Sequence, residues 1–570
     1  MTPIWSTACP DWRQRIVAGR SLIPFEPLFP DEAKAALEIF GSLKIVDAAG
    51  SPTMLEACLP WLFDFVGSIF GSYDQATGRR LIRYFFLLIS KKNSKSTGAA
   101  GIMLTALMRN WRLSAEYIIL APTKEVADNC FAPALDMIKA DEELSALLHP
   151  QKHIRTITHR LTGATLKVIA ADSETAGGKK TVGLLVEELW LFGKQPNAEN
   201  MLREAMGGLA SRPEGFVIYL STQSDEIPAG VFKQQLREFR DIRDGLVVDP
   251  RSLGVLYEYP PDMVEAKAYE KPEFWYVTNP NLGKSVDLEF LLDQHAKDAR
   301  KGPSSLNGFY AKHLNVEIGQ TLRLDNWPGA RHWQSAIEPG LTLESLLERS
   351  EVVTIGVDGG GLDDLLGLAV IGRDKTNRQK WLLWTHAWCH RGVLTLRQQI
   401  ASTLLDFEKD GDLEIVDRMA DAFDGVVGIC DRINKIGLLA KVGFDPAGVK
   451  LMVDGLADLD TPITQEGEQV EGVSQGFRLQ GTIKATEDKL SDGDLVHGGQ
   501  ALMAWCVGNA KIAQAGNAIL VTKAASGIGK IDPVMATFDA VALMSLNPEP
   551  KNGPSVYNDE QKRPGGFLVV

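Results

Sequence analysis

Four short apolar runs constrain the fold more than any other feature. They lie in "YFFLLISKKNSKSTGAAGIMLTAL" (Tyr84 to Leu107), "EYIILAPT" (Glu116 to Thr123), "TVGLLVEE" (Thr181 to Glu188) and "GFVIYLSTQS" (Gly215 to Ser224). Each is nearly continuous in apolar residues rather than alternating, so each strand needs cover on both faces. Intervening segments such as "KEVADNCFAPALDMIKA" have the composition and length of helices. Strand, helix, strand in that order gives a parallel sheet with helices on both sides, an α/β architecture. A second alternating series opens at "EVVTIGVDGGG" (Glu351 to Gly361).

The chain has 570 residues, and a core organises only ~100–200 residues, so two or more domains are expected. A first domain is expected over 1–335, with a hinge or linker over 321–345 around "DNWPGARHW". A second is expected over 346–548, and a polar, Pro- and Gly-rich mobile tail over 549–570. Six scattered cysteines form no C-x-x-C pair, which fits a reducing compartment and argues against a disulfide scaffold or structural zinc. No signal-peptide pattern is present, and no apolar run nears the ~20 residues of a membrane helix. A net charge of −13 argues against general coating of nucleic acid. A local basic track stays open, because salt limits the reach of charge to ~8 Å.

The first strand runs into "SKKNSKST" and then a helix of small residues. A phosphate loop works through backbone N–H groups at a helix N-terminus, a lysine on the β/γ-phosphates and a hydroxyl on Mg²⁺. Lys95 and Ser96 occupy the lysine and hydroxyl positions, with Thr97 a spare hydroxyl and Lys91 and Lys92 added charge. Ile89 and Ser94 stand where G-x-x-x-x-G-K-[ST] has glycines. A surface turn with solvated lysines would have the same residues. The strand "VGLLVEE" then ends in two carboxylates, Glu187 suited to the Mg²⁺ shell and Glu188 to orienting water. An acidic helix start would look alike. The order of loop, "APT" strand, acidic strand end and "STQS" (Ser221 to Ser224) is that of a nucleotide-driven motor core.

The second series delivers acids from separate segments. "VVTIGVDGGG" ends a buried strand at Asp358, and "GLDDLLGLAVIG" follows with Asp363 and Asp364, resembling the first hairpin of an RNase H-like fold. A helix carries Val426, Ile429, Ile433 and Ile436 on one stripe, and the next strand ends at Asp445. "GKIDPVMATFDAVALM" offers Asp532 and, two turns on, Asp539. Two-metal phosphodiester hydrolysis needs carboxylates from several segments around ions ~3.5–4 Å apart. Asp358, Asp445 and Asp532 are the candidate set. Turn roles for Asp358 and Asp445, and an N-cap role for Asp532, are the bland alternatives. "HAWCH" (His386 to His390) lacks partners for a metal site and is expected to be strand-edge packing. The basic stretch Gln151 to Lys167 is expected to be a solvated hairpin face, and Arg83, Lys91 and Lys92 are candidate arginine-finger equivalents.

In order, these segments resemble the large subunit of tailed-phage DNA-packaging terminases, lambdoid-like. The match includes "SKKNSKS", "VEE", "STQS", "VTNPNLG" (Val277 to Gly283), "KHLNVE" (Lys312 to Glu317) and the three acidic segments. The resemblance implies an N-terminal P-loop-type ATPase with a parallel sheet and a C-terminal RNase H-like nuclease. It implies ATP and Mg²⁺ as cofactors, with Mg²⁺ or Mn²⁺ at the nuclease. Lys92, Asn93, Ser94, Lys95, Ser96, Thr97 and Glu187 would hold nucleotide and Mg²⁺, Glu188 would be catalytic, and Asp358, Asp445 and Asp532 would hold the nuclease metals. Implied partners are double-stranded DNA, a portal protein, a small terminase subunit and further copies in a ring. The implied setting is the host cytoplasm with no membrane. At Ser94 the backbone is expected to avoid the conformations that only glycine reaches cheaply, and Glu187 in place of aspartate shifts the Mg²⁺ shell. The rivals are an ATP-dependent helicase or repair nuclease, and an assembly protein without turnover.

Overall fold

The computed structural model describes residues 5–171, 180–195, 197–318, 327–444, 450–515, 518–522 and 529–550. The chain divides into two compact units, Met1–Ile318 and Gly319–Val570. Residues 327–345, expected as linker, belong to the second unit, where Trp327 and Trp333 are fully buried. Two tryptophans cannot stay in a solvated hinge when a core is at hand. The proposed tail from 551 onward lies outside the described residues.

After its N-terminal helices, the first unit has a small antiparallel pair, β1 (Tyr73–Asp74) and β2 (Arg79–Arg80). Its main sheet contains β3 (Tyr84–Leu88), β4 (Glu116–Ala121), β5 (Leu148–Gln151), β6 (Thr156–His159), β7 (Thr165–Ala170), β8 (Thr181–Val186), β9 (Phe216–Ser221) and β10 (Ser252–Leu256). The order is β10-β3-β9-β8-β4-β7-β6-β5. The strands from β10 to β7 are parallel, and β6 and β5 extend the edge antiparallel. Gln151 to Lys167 therefore contains a real hairpin, β6 to β7. Phe86, Leu88, Ile118, Leu120, Leu184 and Val186 share a core with Phe232, Leu236 and Phe239 of helix Gly230–Arg243. Because side chains alternate across a strand, Phe85, Leu87, Ile119 and Leu185 are buried on the other face, where helices Lys95–Met108 and Lys124–Lys139 pack. Both faces are dry, which is why the strands read as continuous apolar runs.

The second unit has β11 (Ser350–Gly359), β12 (Leu365–Asp374), β13 (Trp381–His390), β14 (Leu413–Val416), β15 (Leu439–Phe444), β16 (Val470–Gly472) and β17 (Leu495–His497). The order is β14-β13-β12-β11-β15-β16, with β17 also on β13. β11, β12 and β13 form an antiparallel meander, and β15 joins β11 in parallel, as an RNase H-like start requires. Val353, Ile355 and Val357 face the core shared with Ala422, Val426, Cys430 and Ile433 of helix Met419–Lys435. Cys430 joins that core, and Ile429 packs against it. Ile436 lies just past the helix and is 49% exposed. β13 is not an edge strand: Cys389 is buried between β12 and β14, and His386 packs on Trp384 and Trp388.

Candidate functional site

β3 ends at Leu88, and the chain turns through Ser90–Ser94 into helix Lys95–Met108. Lys92 and Ser94 have φ of 70° and 59°. The expectation that Ser94 avoids glycine-like backbone is thus overturned. The turn keeps the left-handed geometry, at roughly 1–2 kcal/mol for a residue bearing Cβ. What enforces it is a clamp from far along the chain. Asn93, fully buried, donates through Nδ2 to Ser90 O (3.1 Å) and Asn279 Oδ1 (2.8 Å). Its Oδ1 accepts from the Asn281 N–H (3.0 Å). Ser285 Oγ donates to Lys92 O (2.7 Å), and Trp61 Nε1 to Asn281 Oδ1 (2.7 Å). Asn93 is therefore a brace for the loop. Asn279 and Asn281 leave only one signal in the sequence, a pair of asparagines flanking Pro280 in "VTNPNLG".

The helix then presents its first side chains to the end of β8. The Lys95 ammonium pairs with Glu188, and Ser96 Oγ donates to Glu187 Oε1 at 2.6 Å. Lys92 is exposed, and Thr97 is half-buried in the first turn. Glu187 is fully buried, and its Oε2 has no hydrogen-bond partner among the described residues. Burial pushes its carboxyl up to about 7, against the pull of the Ser96 hydroxyl and Lys95. A serine hydroxyl beside a buried carboxylate with a bare oxygen is an all-oxygen donor set that fits a hard divalent cation.

Glu188 behaves differently. Burial would raise it, but the Lys95 charge outweighs that, helped by donors from Lys95 and Trp190, and holds it below the ordinary carboxylate range. Trp190 Nε1 donates to Glu188 Oε2 at 2.5 Å. Glu188 is the N-cap of the short helix Leu189–Phe192, in a left-handed conformation (φ 53°), as the acidic-helix-start alternative has it, but its side chain makes no capping bond and is engaged by Lys95 and Trp190 instead. β9 lies between β3 and β8, which brings Ser221–Ser224 out beside both. Ser221 Oγ accepts from the Trp190 N–H (3.1 Å), and the Gln223 N–H donates to Asn315 Oδ1 (3.1 Å). Arg83 is not available as a finger. Its guanidinium is spent on the carbonyls of Leu209, Arg212 and Gly215, at the opposite end of β3 from the loop.

In the second unit the strand alternation brings two of the acids to one end of β11. Val353, Ile355 and Val357 face one way, so Thr354, Gly356 and Asp358 face helix Asp532–Ser545. Thr354 Oγ1 donates to Ala540 O (2.9 Å). A Cβ on Gly356 would stand 2.0 Å from Ala536 O, and one on Gly359 would stand 2.8 Å from Asp532 Oδ1. Only glycine lets the helix come this close, and the approach brings Asp532 to the end of the strand that carries Asp358. Both are buried. Asp532 is the first helical residue and Ile531 the N-cap, so Asp532 is not the cap that the sequence allows. Asp539 is buried and accepts from Gln475 Nε2 (2.9 Å). Asp363 and Asp364 are each engaged by a cation, Arg397 (2.9 Å) and Lys530 (2.8 Å). The pairing of Val357 with Phe444 stops one residue short of Asp445, which lies outside the described residues. Among the described residues no three His, Cys, Asp or Glu side chains form a metal-holding group.

Two family models match the chain in succession. Residues 60–238 match the family model "Terminase large subunit, ATPase domain". Residues 255–546 match "Terminase large subunit, endonuclease domain", a match that begins within β10 of the first unit. The chain is 21% identical over 476 residues to the terminase large subunit of Lactococcus phage p2, covering 81% of this chain and 82% of that one. It is 22% identical over 316 residues to protein YmfN of Escherichia coli K12, covering 53% of this chain and 64% of that protein. Among solved structures, the HK97 bacteriophage large terminase overlays with TM-score 0.46 and 20% identity, over 90% of this chain and 99% of that one. The endonuclease match alone spans more than half of the chain, and the ATPase match precedes it in the expected order. The chain therefore belongs to the terminase large subunit family, enzymes that join an ATPase to a DNA endonuclease for the packaging and cutting of viral DNA.

Proposed function

We propose that the first unit drives double-stranded viral DNA into an empty procapsid, and that the second cuts concatemeric DNA at the start and end of packaging. The observation that carries the motor reading is the facing of Lys95 and Ser96 by Glu188 and Glu187. Entering ATP takes the Lys95 ammonium onto its phosphates, alongside the loop backbone of Lys92, Asn93, Ser94 and the hydroxyl-bearing Ser96 and Thr97. That releases Glu188 Oε1 to accept a proton from, and orient, the attacking water. Mg²⁺, held by Ser96 and Glu187, would neutralise charge on the transferred phosphoryl group. At the nuclease, Asp358, Asp445 and Asp532 would hold Mg²⁺ or Mn²⁺.

This reading extends to the partners: a portal protein, a small terminase subunit and further copies of this chain in a ring, acting in the host cytoplasm. Among the described residues no helix is long and apolar enough to cross a membrane. The test is plasmid cleavage with Mg²⁺ or Mn²⁺ by the intact chain and by Asp358→Ala, with ATP turnover followed in the same samples. We expect metal-dependent cutting that the substitution abolishes while turnover continues. Equal cutting by both proteins would overturn the nuclease assignment.

A further inference from the structure

Lys312 belongs to none of the phosphate-loop, acidic-strand or coupling segments, yet it touches the first and the last and the tryptophan that follows the acidic strand. It stands near the end of helix Pro303–Leu314 and is 7% exposed. Its backbone carbonyl accepts from the Lys91 N–H of the phosphate loop (2.9 Å). Its ammonium donates to Gln223 O in "STQS" (2.8 Å) and lies 2.9 Å from the centre of the Trp190 ring. Trp190 in turn holds Glu188 Oε2 through its indole N–H, while its backbone N–H is tied to Ser221 Oγ.

The two oxygens of Glu188 have different keepers. Oε1 is held by Lys95 and Oε2 by Trp190. Phosphate chemistry needs Lys95, so its hold on Oε1 is lost when nucleotide enters. The indole is not needed elsewhere and keeps Oε2. A carboxylate gripped by one oxygen presents the other in a fixed direction, which is what orienting a water demands. The grip is only as firm as the ring, and a cation over an aromatic face is attracted to it, more strongly when desolvated. Burial draws the Lys312 ammonium down to about 7, against Asp225 and Glu188, which favour its charge.

We propose that Trp190 and Lys312 are positioning residues for Glu188: the indole holds Oε2 while Lys95 moves to the phosphates, and the Lys312 ammonium fixes the indole. The proposal rests on Glu188 being the residue that orients the attacking water. The test is steady-state ATP turnover by the full chain for Trp190→Phe, Lys312→Met, Lys312→Arg, the Trp190→Phe/Lys312→Met pair and Glu188→Gln, with thermal melts to show that each folds. Trp190→Phe keeps the ring and loses the donor. We expect kcat to fall about 10–100-fold with the KM for ATP held within about 2-fold, because misplacement rather than binding is the fault. Lys312→Met should fall alike, Lys312→Arg should recover to within about 3-fold, and the pair should be far less than additive.

A KM that rises while kcat stands, additive losses, or an arginine variant no better than methionine would overturn the proposal. Turnover that survives Glu188→Gln would overturn the assignment of Glu188 itself and the proposal with it. Turnover lost in Glu188→Gln but unmoved in Trp190→Phe would overturn the positioning pair alone.

Discussion

Glu187→Gln should make the metal-free protein more stable at alkaline pH and nearly indifferent at acid pH. In the folded chain the Glu187 carboxyl sits at about 7, raised by burial from an ordinary 4.5. The unfolded chain releases this proton near 4.5 and the folded chain only near 7. Between those values the folded state binds more protons, so stability falls as pH rises. The penalty on the parent is about 0.8 kcal/mol at pH 5 and about 3 kcal/mol at pH 8, at 1.36 kcal/mol per pKa unit for the part of the shift that is felt. Glutamine keeps the shape and can still accept from Ser96, but carries no charge to desolvate. The unfolding free energy of E187Q minus that of the parent should therefore grow by about 2–3 kcal/mol from pH 5 to pH 8. Urea titrations in EDTA at the two pH values measure it. A difference that stays flat with pH would refute the buried, proton-holding Glu187. Excess Mg²⁺ with nucleotide should reverse the ranking at pH 8, because the parent alone has the carboxylate ligand.

Three further outcomes follow from the same geometry. Ser94→Gly relieves a left-handed residue and should stabilise the first unit by about 1 kcal/mol, seen as a higher melting temperature, and an unchanged or lower melt would count against the turn described. Asn93→Ala strips the clamp from the loop, leaving buried partners unpaired at about 1–3 kcal/mol each. It should raise the KM for ATP, and wild-type nucleotide affinity would count against the clamp. Gly356→Ala drives a methyl into Ala536 O and should cost at least about 1–3 kcal/mol. It should abolish DNA cutting while ATP turnover continues, and retained cutting would show that helix Asp532–Ser545 is not held where described.

The buried strands, the order of the motifs and the acids at strand ends are legible in the residues alone. Those features are local. A strand buried on both faces must be apolar at every position, as at Ile118–Leu120, and a chemical group at its C-terminal end follows within a residue or two, as Glu187 and Glu188 follow Val186. The second sheet was legible for the same reason, since the alternation that buries Val353, Ile355 and Val357 also turns Asp358 to the opposite face.

How the groups are held is a matter of tertiary packing. Asn93 meets Asn279 across 186 positions of chain, and Lys312 meets Gln223 across 89. Such bonds join single side chains to remote backbone and leave no period or spacing in the sequence. The left-handed backbone at Ser94, the cation on Arg83's carbonyl targets, and the burial of Trp327 and Trp333 in a stretch that reads as a linker are likewise set by what packs against them. Local pattern specifies which face of an element is dry; it does not specify which distant group supplies the missing hydrogen bond.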